Sequence, residues 1–471
     1  MSTAIVWFRR DLRLADHAAL AAACAGHAHV LPVYIHAPQE EAPWAPGAAS
    51  QWWLHQSLGA LSEALARQGG RLHLAAGDSL RELERLGAQS GASAVYWLRC
   101  YEPALIARDT RIKAALRERG VAAHSYPGNV WLEPWQISRA PGQPYRMFSP
   151  FWRKLRAQLT PQQPLRAPHA RLWVKLPGSL SLAALALAPR IPWAAGLAGN
   201  WRPGEAGARE RLRRFGEQAL PDYAVDRDRP ADPGTSRLSP HLHFGEITPR
   251  QVLYGLHKRA ERLGGGTHAG LEAYLRELGW REFACHLLYH FPHTSEGSFN
   301  PRFAAFPWAE PDERTLGRWQ SGCTGVPLVD AGMRELWSTG WMHNRVRMIA
   351  ASFLTKNLLL HWQHGARWFW DTLVDADLAS NTLNWQWVAG CGADAAPYFR
   401  VFNPFTQAAR FDAEARYLKR WLPELAVLPA KLLHEPWRDP AALARCGYPS
   451  PMVEPRAARR AALEAFAALP D

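Results

Sequence analysis

Lysine is nearly missing: of 55 basic residues only seven are lysines. Cysteine is sparse as well. The six, Cys24, Cys100, Cys285, Cys323, Cys391 and Cys446, form no C-x-x-C pair and show no metal-ligand spacing, so the chain reads as reduced and cytosolic, with no metal centre. No stretch reaches the ~18 apolar residues of a membrane span, and 4-AIVWF-8 runs into 9-RRDLR-13 too soon for a signal peptide. No G-x-G-x-x-G follows this first apolar run, and no G-x-x-x-x-G-K-[ST] occurs anywhere. A standard dinucleotide or P-loop site is therefore not expected.

What is present sets a different expectation. The chain has 471 residues, 48% of them hydrophobic, enough for more than one core. The formal charge of +13 makes a polyanion such as nucleic acid a candidate partner. Arginine suits bidentate phosphate contacts, although a coding bias toward Arg and Ala would look the same. Tryptophan is the outlier, with 23 copies.

To about residue 130, β-branched or aromatic runs (4–8, 30–35, 71–75, 94–98, 121–126) alternate with helical patterns such as 50–68, predicting a five-stranded parallel sheet with crossover helices. Residues 131–200 are rich in Pro and Ala and read as a connection over the surface. Beyond 200 the period is helical almost throughout, as in 271–290 and 345–363. The expected organisation is 1–130, 131–200 and 201–471.

Four stretches could carry chemistry. In 234-GTSRLSP-240, hydroxyls and free N–H groups precede a helix, as an anion site or an ordinary cap would have them. In 277-ELGWREF-283, Glu277, Trp280 and Arg281 share one helix face, either as a stacking platform for an unstacked base or as a buried Trp beside a surface ion pair. In 340-GWMHNRVRM-348, Arg345 and Arg347 are two apart and point to different sides. In 374-VDADLASNTLNWQW-387, Asp375 and Asp377 precede Asn381 and Trp385, with no supporting His or carboxylate for a metal.

In their order and spacing these stretches, with 394-DAAPYFRVFNP-404 and the opening 4-AIVWFRRDLRLADHAAL-20, resemble the photolyase and cryptochrome family, specifically the class I cyclobutane pyrimidine dimer photolyases. The resemblance covers essentially the whole chain. It implies an α/β N-terminal domain, Rossmann-like, followed by an all-α FAD-binding domain. It also implies light-driven repair of cyclobutane pyrimidine dimers in UV-damaged DNA, by electron transfer from excited reduced FAD, in a cytoplasmic monomer.

By motif, Tyr223 and the run Thr235, Ser236, Arg237, Leu238 and Ser239 would bind the flavin's ribityl and phosphate portion. Asp375, Ala376 and Asp377 would lie along its ring and ribityl chain, Arg347 would pair with Asp375, and Asn381 would sit beside N5. Trp385, Trp362 and Trp308 would form an electron-donor chain, with Trp308 its exposed end. Trp280 and Trp387 would pack on the extruded dimer, Glu277 would hydrogen-bond to it, and Met348 belongs to the same substrate set. Arg227, Arg281, Asn344, Arg345 and Gln407 match or adjoin DNA-contact positions.

Asn344 and Met348 stand where the six-four enzymes of this family carry His, which favours the cyclobutane substrate. A folate antenna would lean on an Asn-Glu pair that reads Ala104-Leu105 here, so weak or absent folate binding by that mode is expected, with another chromophore or none. The alternative is a cryptochrome-type photoreceptor without repair. The complete substrate set, and a chain ending at Asp471 without a long polar extension, favour repair. A third reading, a cofactor-free basic DNA-binding module, leaves the pattern from Asp375 to Trp385 unexplained.

Overall fold

The computed structural model describes residues 2–140, 142–189, 192–264, 268–395 and 399–470; Tyr398 of the 394–404 stretch lies outside the described residues. By packing, the chain separates into two compact units. The first comprises Met1–Tyr145, Ser149–Pro221 and Ser236–Pro292; the second comprises Arg146–Phe148, Asp222–Thr235 and His293–Asp471. This division cuts the chain differently from the sequence segments, since several helices beyond residue 200 pack in the first unit.

In the first unit the apolar runs become strands β1 (Thr3–Phe8), β2 (His29–His36), β3 (His73–Ala76), β4 (Ala92–Leu98) and β5 (Ala122–Tyr126), parallel and in the order β3-β2-β1-β4-β5. Between them run α1 (Ala18–Gly26), α2 (Ala48–Ala66), α3 (Ser79–Ser90) and α4 (Pro103–Glu118). Alternate residues of each strand face opposite sides. Ile5, Trp7, Leu31, Val33, Val95 and Trp97 build one core layer with Leu83 and Leu86 of α3 and Ile112 and Leu116 of α4. Because helices cover both faces, β1 is buried at every position.

The 131–200 stretch is not wholly irregular, contrary to expectation. Phe148–Arg156 forms α5, and Leu172–Trp173 forms β6, which pairs with the start of β2. Phe151 and Leu155 on α5 are buried; that short apolar spacing was hidden in Pro-rich surroundings. The unit continues through α6 (Glu205–Gln218), α7 (Ser239–His243), α8 (Pro249–Leu263) and α9 (His268–His290). Phe151 meets Phe283 of α9 at 5.1 Å between ring centroids.

The loop after β1 is tied to residues far along the chain. Buried Arg13 donates from Nη1 to the Gly245 carbonyl (2.7 Å). Asp16 accepts from Thr248 Oγ1 (2.6 Å) and Arg250 Nε (3.1 Å). Gly245 has φ +63°, and a Cβ there would run into the Arg10 carbonyl, so glycine is required on both counts.

The second unit is helical: α10 (Glu313–Gln320), α11 (Pro327–Thr339), α12 (Asn344–Ser352), α13 (Trp362–Thr372), α14 (Leu378–Ala389), α15 (Pro404–Phe411) and α16 (Pro455–Ala467), with shorter turns between. The 345–363 stretch, which reads as one helix, is two. After α12 the chain makes a π-helical turn, Phe353–Asn357, and breaks at Leu359 with φ +55°. His361 then caps α13, its Nδ1 accepting from Gln363 N (3.3 Å).

Candidate functional site

In the second unit, α12, α13 and α14 gather most of the predicted residues. Asp375 precedes α14 and pairs through Oδ2 with Arg347 Nη2 at 2.9 Å; its side chain is 4% exposed. Arg347 Nε is held by the Met342 carbonyl (2.7 Å). The other oxygen of Asp375, Oδ1, is buried with no hydrogen-bond partner. Such an atom costs about 1–3 kcal/mol unless a ligand brings a donor. Asp377 caps α14, accepting from Ser380 N (2.9 Å), and Ala376 between them is buried. The amide nitrogen of Asn381 donates to the Ala366 carbonyl (3.0 Å), which fixes the amide and leaves its oxygen as an acceptor beside a second N–H. Tyr223 is buried with the Arg227 guanidinium 5.7 Å from its ring centroid, and Thr235 is half-buried. Among the described residues no group of three or more His, Cys, Asp or Glu is placed to hold a metal ion.

The tryptophans run inward from the surface. Trp308 meets His361 at 5.1 Å and His361 meets Trp362 at 5.5 Å. Burial lowers the His361 pKa to about 4, so the imidazole between the two indoles is neutral. Trp362 and Trp385 are buried. Gly365, one turn along α13 from Trp362, lies against Trp385; a Cβ there would fall inside the indole. Trp308, expected to be the exposed end, is only partly so, because Phe306 packs on it at 4.3 Å.

The expected divergence of Arg345 and Arg347 is present. Arg345 Nη2 pairs with Asp228 (2.6 Å), its Nη1 lies 4.0 Å from Met348 Sδ, and its guanidinium covers Phe411 at 4.6 Å. Asn344 at the start of α12 is exposed; Gln407 on α15 is half-buried. Trp387 is half-buried, donates from Nε1 to the Asp394 carbonyl (3.1 Å), and lies 5.8 Å from the Arg400 guanidinium.

In the first unit, Ser239 opens α7 and Ser236 Oγ accepts from Tyr274 OH (2.9 Å) and Leu238 N (3.2 Å). Leu238 is buried, and Arg237 takes a left-handed conformation at φ +51°. On α9, Glu277 and Trp280 are both half-buried on one face, as their spacing predicts. Arg281 has part of its guanidinium committed within the unit. It donates to the Asn129 carbonyl (2.8 Å) and is 21% exposed, because the loop after β5 passes its helix face and needs a donor.

Sequence reasoning missed three residues. Glu282, one step from the Trp280 face, is buried beneath Trp131 N (2.9 Å), and burial pushes its pKa up to about 7. Lys356, in the π-helical turn, is fully buried with Nζ 3.1 Å from the Phe399 ring centroid, and burial lowers its pKa to about 7. Gly365 had a readable signal, three residues after Trp362 in a helix otherwise rich in large side chains.

The first unit is thus a doubly wound parallel sheet without a dinucleotide loop, and the second is helical, with a buried Arg347–Asp375 ion pair and buried tryptophans on α13 and α14. The sequence matches the family models for DNA photolyase (residues 4–169) and for the FAD binding domain of DNA photolyase (residues 274–468). It is 45% identical to the deoxyribodipyrimidine photo-lyase of Agrobacterium fabrum, over 99% of this chain and 98% of that one. It is 38% identical to cryptochrome-2 of Arabidopsis thaliana, over 97% of this chain and 77% of that one. The crystal structure of a bacterial class III photolyase from Agrobacterium tumefaciens matches with a TM-score of 0.94 at 45% identity, over 99% and 98% of the two chains. The chain belongs to the DNA photolyase/cryptochrome family and carries its FAD-binding domain. The class III description differs from the class I enzymes whose motifs the sequence resembles; the family is common to both.

Proposed function

We propose that the protein is a deoxyribodipyrimidine photo-lyase that repairs cyclobutane pyrimidine dimers in UV-damaged DNA under light. The observation that carries this reading is on α9, where Glu277 and Trp280 stand half-buried on one face between buried neighbours. A flavin photoreceptor has no need of an accessible stacking surface beside a carboxylate. A repair enzyme does, since photolyases draw the damaged bases out of the duplex and each base stacked on an aromatic contributes about 1–3 kcal/mol.

The second unit fits the cofactor. The unpartnered Oδ1 of Asp375 can accept from a bound ring N–H or ribityl hydroxyl, and Arg347 holds that carboxylate in place. The free oxygen of Asn381 suits a protonated ring nitrogen. Tyr223, Thr235 to Ser239, Ala376 and Asp377 complete the proposed cofactor set. Bound in its reduced form, FAD supplies the light-excited electron. Trp385, Trp362 and Trp308 keep that form available by passing electrons inward, and the burial of Trp385 and Trp362 excludes water from the inner part of the line. Glu277 accepts a hydrogen bond from the lesion. Met348 and Trp387 are the second unit's proposed substrate residues. Arg227, Arg281, Asn344, Arg345 and Gln407 are proposed to fix the DNA backbone, Arg281 with one guanidinium N–H already given to the Asn129 carbonyl. As functional modules we keep 1–130, 131–200 and 201–471.

Cryptochrome-2 is similar over nearly the whole chain, so photoreception without repair is the alternative. Incubation of the holoprotein, flavin fully reduced, with thymine-dimer DNA separates them. Loss of dimers in blue light and not in the dark supports the enzyme; no loss in light overturns it.

A further inference from the structure

We propose that His361 is the bridge across which the outermost electron transfer runs, from Trp308 to oxidised Trp362. The inference rests on the photolyase reading above, in which these tryptophans supply the flavin with electrons, and it assigns a role to a residue outside the motifs that led there. Among the described residues no ring contact joins Trp308 to Trp362 directly. The imidazole stands between them, its centroid 5.1 Å from Trp308, edge-on at 78°, and 5.5 Å from Trp362 at 34°. Both separations are those of aromatic rings in contact. Phe306 also packs on Trp308, at 4.3 Å, but its other ring contacts are Phe303 and Phe399, and neither of these meets Trp362.

Backbone bonds hold the three rings in register. Ala309, next to Trp308, donates from its N–H to the Leu359 carbonyl at 2.9 Å and pairs with Leu360. His361 and Trp362 follow at once. His361 is the N-cap of α13, its Nδ1 accepting from Gln363 N (3.3 Å). That bond fixes the tautomer as well as the ring: with Nδ1 the acceptor, the proton of the neutral imidazole is on Nε2. Burial, aided by the neighbouring His364, keeps the ring neutral. It therefore has no uncommitted nitrogen lone pair to take a proton from Trp308, and an imidazole is harder to oxidise than an indole. Neither a base nor a redox stop, it is left to carry electronic coupling from one indole to the other.

Once Trp385 has given an electron to the bound flavin and Trp362 has refilled Trp385, one electron passes from Trp308 to the Trp362 radical cation. No bond forms or breaks, and the positive charge moves to Trp308, whose partial exposure admits an outside reductant. Coupling through a ring in contact on both sides falls off less steeply than coupling across a gap. The bridge lets this step outrun the return of the electron to Trp362, and so decides how much of the light-driven reduction lasts.

Two substitutions separate the bridge from the cap. His361→Asn removes the ring and keeps a side-chain acceptor suited to the N-cap; His361→Phe keeps a ring and removes the acceptor. Transient absorption and steady illumination of the FAD-loaded protein read the lifetime of the indole radical and the yield of lasting flavin photoreduction. In His361→Asn both are expected to fall several-fold, toward the values of Trp308→Phe, while His361→Phe stays near the unmutated protein. The reverse order, with the Asn variant unimpaired and the Phe variant impaired, would reduce His361 to a helix cap and overturn the proposal, as would two unimpaired variants; either result leaves the photolyase reading intact. Undiminished photoreduction in Trp308→Phe would overturn the tryptophan line and the bridge with it, and the dimer-repair assay with chemically reduced flavin would still judge the photolyase reading separately. If the Phe variant fails to hold flavin, the Asn variant, with its cap in place, decides alone.

Discussion

Glu277 and Trp280 stand one helical turn apart and are expected to fail in different ways when truncated. Trp280→Ala removes a stacking surface and should weaken binding to dimer-containing DNA by about 1–3 kcal/mol, read by competition binding in the dark. Glu277→Ala removes an acceptor whose worth grows as charge develops, so it should lower dimers repaired per absorbed photon more than affinity. Unimpaired repair by both variants would remove this face from the substrate site. Lys356 gives a pH signature. The unfolded chain holds that proton up to about 10.5, while the folded protein releases it near 7. Between those values the unfolded state binds more protons, so stability rises with pH across that window and is lowest below about 7. Lys356→Met should flatten that rise in a comparison of Tm at pH 6.5 and 9; an unchanged slope would mean that the ammonium is better solvated than its burial indicates.

Where α13 passes α14, the contact is between Gly365 and the face of Trp385. Gly365→Ala gains helix propensity yet forces a methyl into an indole, and overpacking of this kind costs about 1–3 kcal/mol. The variant is expected to lose bound FAD, seen as a lower flavin-to-protein absorbance ratio after purification; a full complement would show that the two helices separate easily. Trp308→Phe should block photoreduction of oxidised flavin while sparing repair once the flavin is chemically reduced. Normal photoreduction in that variant would place the surface end of the line elsewhere. These elements also show what was legible beforehand. The strands announced themselves because β-branched and aromatic runs of fixed length admit little else, and the spacing of Glu277 and Trp280 placed them on one face. The break at Leu359 did not announce itself, since a positive φ at leucine has no compositional mark. Nor did the commitment of Arg281 to Asn129, a contact 152 residues apart in sequence.

For the molecule as a whole, a charge of +13 predicts DNA affinity that falls steeply with salt. Arg345→Ala should weaken binding alike for damaged and undamaged DNA and reduce the salt slope by about one. An unaltered slope would keep Arg345 with Asp228 in the complex too. The same scale bears on the question of a second chromophore. The carboxyl ends of β1 and β4, where such a sheet takes its ligand, are filled by Arg9 with Asp109 (2.8 Å) and Arg10 with Glu41 (2.5 Å) and Glu102, and Leu105 is buried. Chromophores released by denaturing protein from its native source should therefore include FAD without stoichiometric methenyl-folate; equal amounts of both would overturn this.

The ties of Arg13 and Asp16 to residues 245–250 have a consequence for synthesis. Arg13 lies 232 positions before the carbonyl that accepts from its Nη1. At 5–20 residues per second a ribosome needs roughly 10–45 s to cover that gap. Through that interval Arg13 has only the Asp16 carbonyl and the Asp16 carboxylate lacks Thr248 and Arg250, and burying either charge incompletely paired is costly. The sheet must wait, loosely formed, for the middle of the chain to emerge. A fragment of residues 1–145 is accordingly expected to stay protease-sensitive however complete its strands, and slow translation before residue 250 should lengthen the period in which chaperones hold it.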